Sequence, residues 1–200
     1  EIHASTQMTS HNTSQCEFLK SFKNIKQINL SRELSLEELK PICKFLENNN
    51  IVSEVFVHGA YCISYSGQCY FSNDLYGEAG NRGACVQPCR RLYSCSQIKS
   101  LSPFNLKDNC AFPLAEKLIQ AGAKSLKIEG RIKGPKYVWS VTKAWRNQLD
   151  LIKNNQEIQT SSFLLENSMN RGFSSDYLES KISSEMFTDN QKDHSLEEIG

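Results

Sequence analysis

The sequence predicts an α/β protein, read as the C-terminal half of a TIM-like (β/α) barrel carrying a long cysteine-rich loop. A doubly wound sheet is the competing arrangement. Three observations lead there. β-Rich segments alternate with amphipathic helical ones, the pattern of parallel βαβ units. Polar residues gather at or just past the C-terminal ends of the expected strands: His3, Arg32-Glu33, His58 and Glu129-Gly130-Arg131. That rim is where barrel enzymes collect their catalytic groups. Doubly wound sheets bind ligands at the same end, so this argues for a site more directly than for closure. Finally, one long irregular stretch interrupts the rhythm, and irregular loops of that length are functional or braced by a ligand.

In order along the chain, Ile2 to Ser5 reads as a strand end with nothing before it. The chain starts at Glu1 without an initiator methionine, which predicts a fragment. Asn12 to Phe22 reads as a helix and Gln27 to Leu30 as the next strand. A second helix starts at Ser35, where Ser35 and Glu38 have the spacing of a capping box. Leu39, Ile42, Cys43 and Leu46 recur at helical spacing, and Pro41 predicts a late start or a bend. Ile51 to His58 is a β-branched and aromatic strand. From Gly59 to about Asp108 no period is visible; Cys62, Cys69, Cys85, Cys89 and Cys95 fall here, with Cys110 just past it. Asn109 to Ala121 is expected to be helical, Ser125 to Glu129 a strand, and Pro135 to Lys153 a long helix. The stripe of that helix is Val138, Val141, Ala144, Trp145, Leu149 and Ile152. Residues 1–153 are read as the barrel portion, and residues 154–200 as the start of a downstream domain or a partly ordered tail.

Composition is that of a globular chain, with 39% hydrophobic and 22% charged residues among 200. No apolar run approaches the roughly 20 residues of a membrane helix. The net charge of +1 conceals an asymmetry: residues 124–146 hold seven basic residues and one acidic, and residues after Gln156 hold nine acidic against three basic. A locally basic surface attracts phosphate, although a solvated helix face has the same composition. Eight cysteines beside long charged helices fit a reduced cytoplasmic protein, where clustered thiols bind metal or do chemistry.

The cysteines sit in a patterned run: Glu54-x-Phe56-x-His58-Gly59-Ala60-x-Cys62, Tyr65-Ser66-Gly67-x-Cys69, and Asn81-Arg82-Gly83-x-Cys85-x-Gln87-Pro88-Cys89-Arg90. Six residues between Cys62 and Cys69 are too many for a tight zinc knuckle, whereas the three between Cys85 and Cys89 are acceptable. Soft thiolates in a glycine-rich loop suit an iron–sulfur cluster as well as zinc. Glycines 59, 67 and 83 allow sharp turns, and Arg82 and Arg90 offer positive charge to thiolates. Spacing alone leaves zinc, iron–sulfur and a catalytic thiol open. Cys16 and Cys43 lie on apolar helix faces and read as small core residues.

The run from Glu54 to Arg90 resembles the signature of the U32 collagenase-like peptidase family. The resemblance extends to Ile2 through Met8, to Arg32-Glu33-Leu34-Ser35, to Ser125 through Arg131, and to Met169-Asn170-Arg171-Gly172-Phe173. The branch most similar forms 5-hydroxycytidine in 23S ribosomal RNA. The chain departs from the pattern at Glu78, where members often carry arginine, and in a short link from Arg91 to Lys107. The resemblance implies a 4Fe-4S cluster on Cys62, Cys69, Cys85 and Cys110, with Cys89 as the substitute for Cys110. It also implies action in hydroxylating an rRNA or tRNA base, a small-molecule hydroxyl donor, and in some branches a homologous partner subunit. A collagenase-like peptidase is the alternative. No H-E-x-x-H motif is present, and a cysteine bound to iron is no nucleophile. His58, Glu129 and Arg131 are the expected catalytic residues on the rim, although Glu129 and Arg131 also suit a barrel-mouth ion pair. Lys133 and Lys136 are candidate phosphate contacts and Trp139 a weaker candidate for base stacking.

Overall fold

The computed structural model describes residues 1–96, 98–130 and 133–191. Its centre is β3 (Val52–Ala60), whose β-branched and aromatic residues are buried on both faces from Val55 to Gly59, as a middle strand requires. β1 (Ile2–Ala4) pairs in parallel with β2 (Ile25–Asn29), which pairs in parallel with β3 over Val52 to Glu54. On β3, Glu54 to His58 pair in parallel with β7 (Ser125–Ile128). Beyond the point where β2 stops, His58 to Ala60 pair antiparallel with β6 (Asp108–Cys110), and β6 pairs in parallel with β8 (Phe173–Ser174). The result is a mixed α/β fold on a mostly parallel sheet, and His58 lies where β3 exchanges one set of neighbours for another.

The helices follow from caps and stripes. α1 (Thr13–Lys20) starts at Asn12, whose side chain accepts from the Gln15 N–H at 2.9 Å. α2 (Leu36–Asn48) has the full capping box: Ser35 Oγ accepts from the Glu38 N–H at 3.3 Å, and Glu38 Oε2 accepts from the Ser35 N–H at 2.8 Å. The Ser35 N–H and hydroxyl, each donating to Glu38 Oε2 at 2.8 Å, hold that carboxyl below its ordinary range. Pro41 sits inside α2 on its exposed side, and the helix runs through it. Leu39, Ile42, Cys43 and Leu46 are buried, and Cys16 meets the same core from α1. α5 (Pro135–Lys153) buries Val141, Ala144 and Trp145 with Ile152 packed on the same core, as the expected stripe has it, and adds Tyr137 and Gln148; Val138 is the exception at 45% exposed, and Trp139 is 63% exposed.

The segment expected to be helical from Asn109 is strand first. Only α4 (Ala115–Gln120), preceded by a 3-10 turn at Phe112–Leu114, is helix. Pro113 has no N–H to give back to Asn109, and it disfavours a helical residue before it. Asp108 and Asn109 instead find tertiary partners, described below. Between β3 and β6 the chain forms α3 (Phe71–Tyr76), 3-10 turns at Gly80–Arg82 and Pro88–Arg90, and a hairpin of β4 (Tyr93–Cys95) and β5 (Ile98–Leu101). Downstream, α6 (Phe163–Glu166) and the segment after it bring Leu165, Phe173 and Leu178 to the main core. Gln148 fastens this region, donating to the Phe112 carbonyl at 3.0 Å and the Gln159 carbonyl at 2.7 Å, and accepting from the Gln159 N–H at 3.0 Å. No helix among the described residues is long and apolar enough to cross a membrane.

Candidate functional site

The C-terminal end of β3 brings two of the expected rim residues side by side. The Glu129 N–H donates to the His58 carbonyl at 2.8 Å, and the Glu129 carbonyl accepts from the Tyr137 hydroxyl at 3.3 Å. This close approach depends on Gly59, at φ +113°: a Cβ there would lie 2.6 Å from both the Cβ and the carbonyl oxygen of Glu129. The His58 ring is 2% exposed, between Phe173 at 5.5 Å and Tyr137 at 6.3 Å between centroids. Burial, with the Lys133 ammonium nearby, pulls the imidazole down to about 4, so it is neutral at pH 7. Its Nδ1 has no hydrogen-bond partner among the described residues. Lys133 lies over the Tyr137 ring at 5.0 Å. Arg131, the third expected residue, lies outside the described residues.

The cysteine segment is fastened to the rim by groups other than sulfur. Ser66 is buried; its N–H and hydroxyl donate to the Glu33 carboxylate at 2.5 and 3.0 Å, and its Oγ accepts from the Arg32 N–H at 3.2 Å. Gly67, at φ +77°, lies so near residues 7 and 9 that a Cβ would meet the Gln7 carbonyl oxygen at 2.8 Å. Asn81 donates to the Gly67 carbonyl at 2.9 Å and accepts from the Gln7 amide. Arg32 and Glu33, placed at a strand end by the sequence, therefore hold the loop.

Four thiols become neighbours. Cys62 and Cys69 lie near one another; burial pushes the Cys62 thiol up while Arg32 pulls it back. Burial pushes Cys89 up to about 11, with Arg90 pulling it down and Cys62, Cys85 and Cys69 adding to the rise. Cys110 stands apart. It pairs with His58 across β3 and β6, and burial pushes its thiol up to about 11, with the Asp108 carboxyl the charge that adds to the rise. It lines a cavity of about 230 Å³ together with Phe112, Leu165 and Phe173. Among the described residues, no three of His, Cys, Asp and Glu converge closely enough to hold a metal ion. By donor chemistry the group of soft thiols with adjacent guanidinium groups suits a thiophilic metal or cluster.

Two buried arginines are structural parts that the sequence reading missed as such. Arg90 donates to Asn105 Oδ1 at 2.8 Å, to the Tyr61 carbonyl at 2.5 Å and to the Leu106 carbonyl. Arg171 donates from Nη1 to Asp108 Oδ1 at 3.1 Å and from its N–H to Oδ2 at 3.2 Å, and Nη2 reaches Gln87 Oε1 at 3.5 Å. Asn109 accepts from the Tyr61 hydroxyl at 2.9 Å and donates to the Phe56 carbonyl at 3.1 Å. The signal was present: Gln87, Arg90 and Arg171 all stand inside the motif runs.

Residues 1–188 match the family model for Peptidase family U32. The chain is 39% identical over 160 residues to the 23S rRNA 5-hydroxycytidine C2501 synthase of Escherichia coli (strain K12), covering 76% of this chain and 24% of that protein. It is 32% identical over 169 residues to a collagenase of Porphyromonas gingivalis (strain ATCC BAA-308 / W83), covering 75% and 40%. With the tRNA hydroxylation protein P1 of Bacillus subtilis (strain 168) it shares 35% over 165 residues, covering 75% and 37%. The chain thus spans at most two fifths of the length of these relatives. No solved structure is significantly similar to it.

Proposed function

This chain belongs to peptidase family U32, and we propose that it forms part of an iron–sulfur enzyme acting in the hydroxylation of a ribosomal or transfer RNA base. The observation that supports the reading is the nearness of the Cys62, Cys69 and Cys85 thiols to Cys89, in the segment that follows β3. Relatives named for rRNA and tRNA hydroxylation point the same way. In this reading β1, β2, β3 and β7 with their helices are half of a (β/α) barrel, and an RNA substrate places the work in the cytoplasm.

Cys62, Cys69 and Cys85 would hold a 4Fe-4S cluster, with Cys110 as fourth ligand by family position and Cys89 by proximity to the other three. Such a cluster supplies electron transfer or Lewis acidity when bound. Arg32 and Arg90 favour thiolate at Cys62 and Cys89 respectively. His58, neutral at pH 7, cannot serve as an acid there; its Nδ1 is suited to a single hydrogen bond with a bound group. Glu129, fixed at its backbone to β3, is the candidate base, and Arg131 the anion contact. Base hydroxylation also needs a source of the hydroxyl group, which a small-molecule donor would supply.

The alternative is a peptidase, as the collagenase relative is named. Against it, burial keeps the Cys62, Cys89 and Cys110 thiols protonated, and His58 Nδ1 meets no thiol among the described residues. A cluster-binding subunit serving a homologous partner is a third arrangement, and would show as stable co-purification. The deciding measurement is an iron and acid-labile sulfide count on full-length protein purified without air. About four irons per chain, lost on Cys62→Ala, is the expected result; comparing Cys89→Ala with Cys110→Ala identifies the fourth ligand. No iron after reconstitution, or stoichiometric zinc, overturns the cluster. Unchanged RNA hydroxylation in a deletion strain overturns the RNA role.

A further inference from the structure

The outer face of α5 is used by neither the cysteine segment nor the rim. At about 3.6 residues per turn, Lys136, Trp139, Lys143, Arg146, Asp150 and Lys153 fall within one arc of about 100° of the helix. All of them are exposed, Trp139 at 63%. Arg146 pairs with Asp150 at 3.2 Å. Lys136, Lys143 and Lys153 meet no carboxylate among the described residues, so three positive charges on this face are uncompensated. Lys136 and Lys143 stand three residues before and four after Trp139, the two spacings that put side chains next to each other on a helix. The opposite side of the same helix reaches the rim. The Tyr137 hydroxyl donates to the Glu129 carbonyl at 3.3 Å, and its ring centroid lies 6.3 Å from that of His58. The face therefore begins beside a rim contact, and Arg146 lies about 15 Å along the axis from Lys136.

Three unpaired ammonium groups make this a poor packing surface for a protein that brings no matching acids, since buried charges need partners. The apolar side of α5, with Val141, Ala144 and Trp145, is committed to the core, so the helix cannot lie in a bilayer surface. What fits is a polyanion that also offers flat rings. An enzyme acting on a base within RNA must hold the phosphates beside that base, and an indole between two ammonium groups suits one stacked base with a phosphate on each side. We propose that the outer face of α5 is an RNA-docking surface, with Trp139 stacking on a base and Lys136 and Lys143 contacting the phosphates that flank it. A strand held there leads, at the first turn of the helix, to the rim. This rests on the RNA reading and adds to it the surface on which the substrate is held.

The test is fluorescence anisotropy of full-length protein with a labelled single-stranded RNA of roughly 12 nucleotides, repeated over a salt series. Trp139→Ala should weaken binding about tenfold and Trp139→Phe should keep most of the affinity, since stacking needs a ring. Lys136→Ala and Lys143→Ala should each lower the slope of log affinity against log salt by about 0.7, the loss of one phosphate contact on a single strand. Lys44→Ala, which removes an exposed cation on α2, should change neither. The replaced side chains are exposed, so urea unfolding should match wild type in every variant. Any of four results overturns the proposal: no RNA binding by wild type, wild-type affinity and salt slope in the Lys136→Ala/Lys143→Ala double variant, an equal loss in Lys44→Ala, or tighter binding of polyglutamate than of RNA to this face, which would assign it to an acidic protein. None of them bears on the iron count or the deletion strain, so the hydroxylation reading stands or falls separately.

Discussion

Acidification should destabilise this fold through one residue. In the unfolded chain His58 has the ordinary imidazole value of 6.5; in the fold, burial and the nearby Lys133 pull it down to about 4. As pH falls, the unfolded chain therefore binds this proton first. The stabilising difference is fully present above pH 6.5 and is lost as pH falls through about 4. Each pH step in that window is worth about 1.4 kcal/mol, so moving from pH 7 to pH 4 should remove about 3 kcal/mol. The assay is urea unfolding by circular dichroism at intervals across that range, on wild type and on His58→Gln, which is of similar size and does not titrate. Carboxylates lose stability in both proteins and cancel in the difference. The wild-type advantage should shrink by about 3 kcal/mol toward pH 4. A difference that stays flat would mean that His58 is charged or solvated in the fold, and its role as a neutral hydrogen-bonding group would go with it.

Arg171→Met should destabilise by about 3–5 kcal/mol, because it leaves the Asp108 carboxylate buried and unpaired. Adding Asp108→Asn should recover part of that loss, and urea midpoints of the two variants decide it. Gly59→Ala should lower the melting temperature, since its Cβ would lie 2.6 Å from Glu129 and the backbone at φ +113° is strained for any side chain, at about 1–3 kcal/mol. Because the same clash pushes Glu129 away from His58, turnover should fall even below the melting transition; full activity would separate Glu129 from the site.

What the sequence made legible was set by local rules. The capping box at Ser35, the stripe of α2 and the strand around Val57 depend on spacing and side-chain shape, and each lies where expected. The start of the helix after β6 was misplaced because Asp108 and Asn109 follow distant partners, Arg171 and Tyr61, which no local period announces. Pro113 was a local sign of the strand that outweighed propensity. The one exposed member of the α5 stripe has a similar cause. Tyr137 is drawn inward by the Glu129 carbonyl, and Val138 is left outside. At the site, the residue types were readable but the division of labour was not. Arg90 was read as a counter-charge to thiolates, and its guanidinium also clamps three backbone and side-chain oxygens.

That division of labour is informative about the thiols. The contacts that place the cysteine segment on the rim are made by Glu33 with Ser66, Arg90 with Tyr61 and Asn105, and Arg171 with Asp108 and Gln87. None of these bonds uses a sulfur. Arg32 and Arg90 lie where they would favour thiolate at Cys62 and Cys89, against the burial that disfavours it. The segment is thus positioned by groups other than its thiols, whose net shift toward the protonated form is set by burial with the arginines opposing it. Under the cluster proposal, replacing Cys62, Cys69, Cys85 or Cys89 by alanine is expected to abolish iron binding while urea unfolding stays close to wild type. Cys110 is different: it is buried in the main core beside Phe112, so its loss creates a cavity as well as removing a thiol. An activity lost with Cys110 needs a stability measurement beside it before the sulfur is credited.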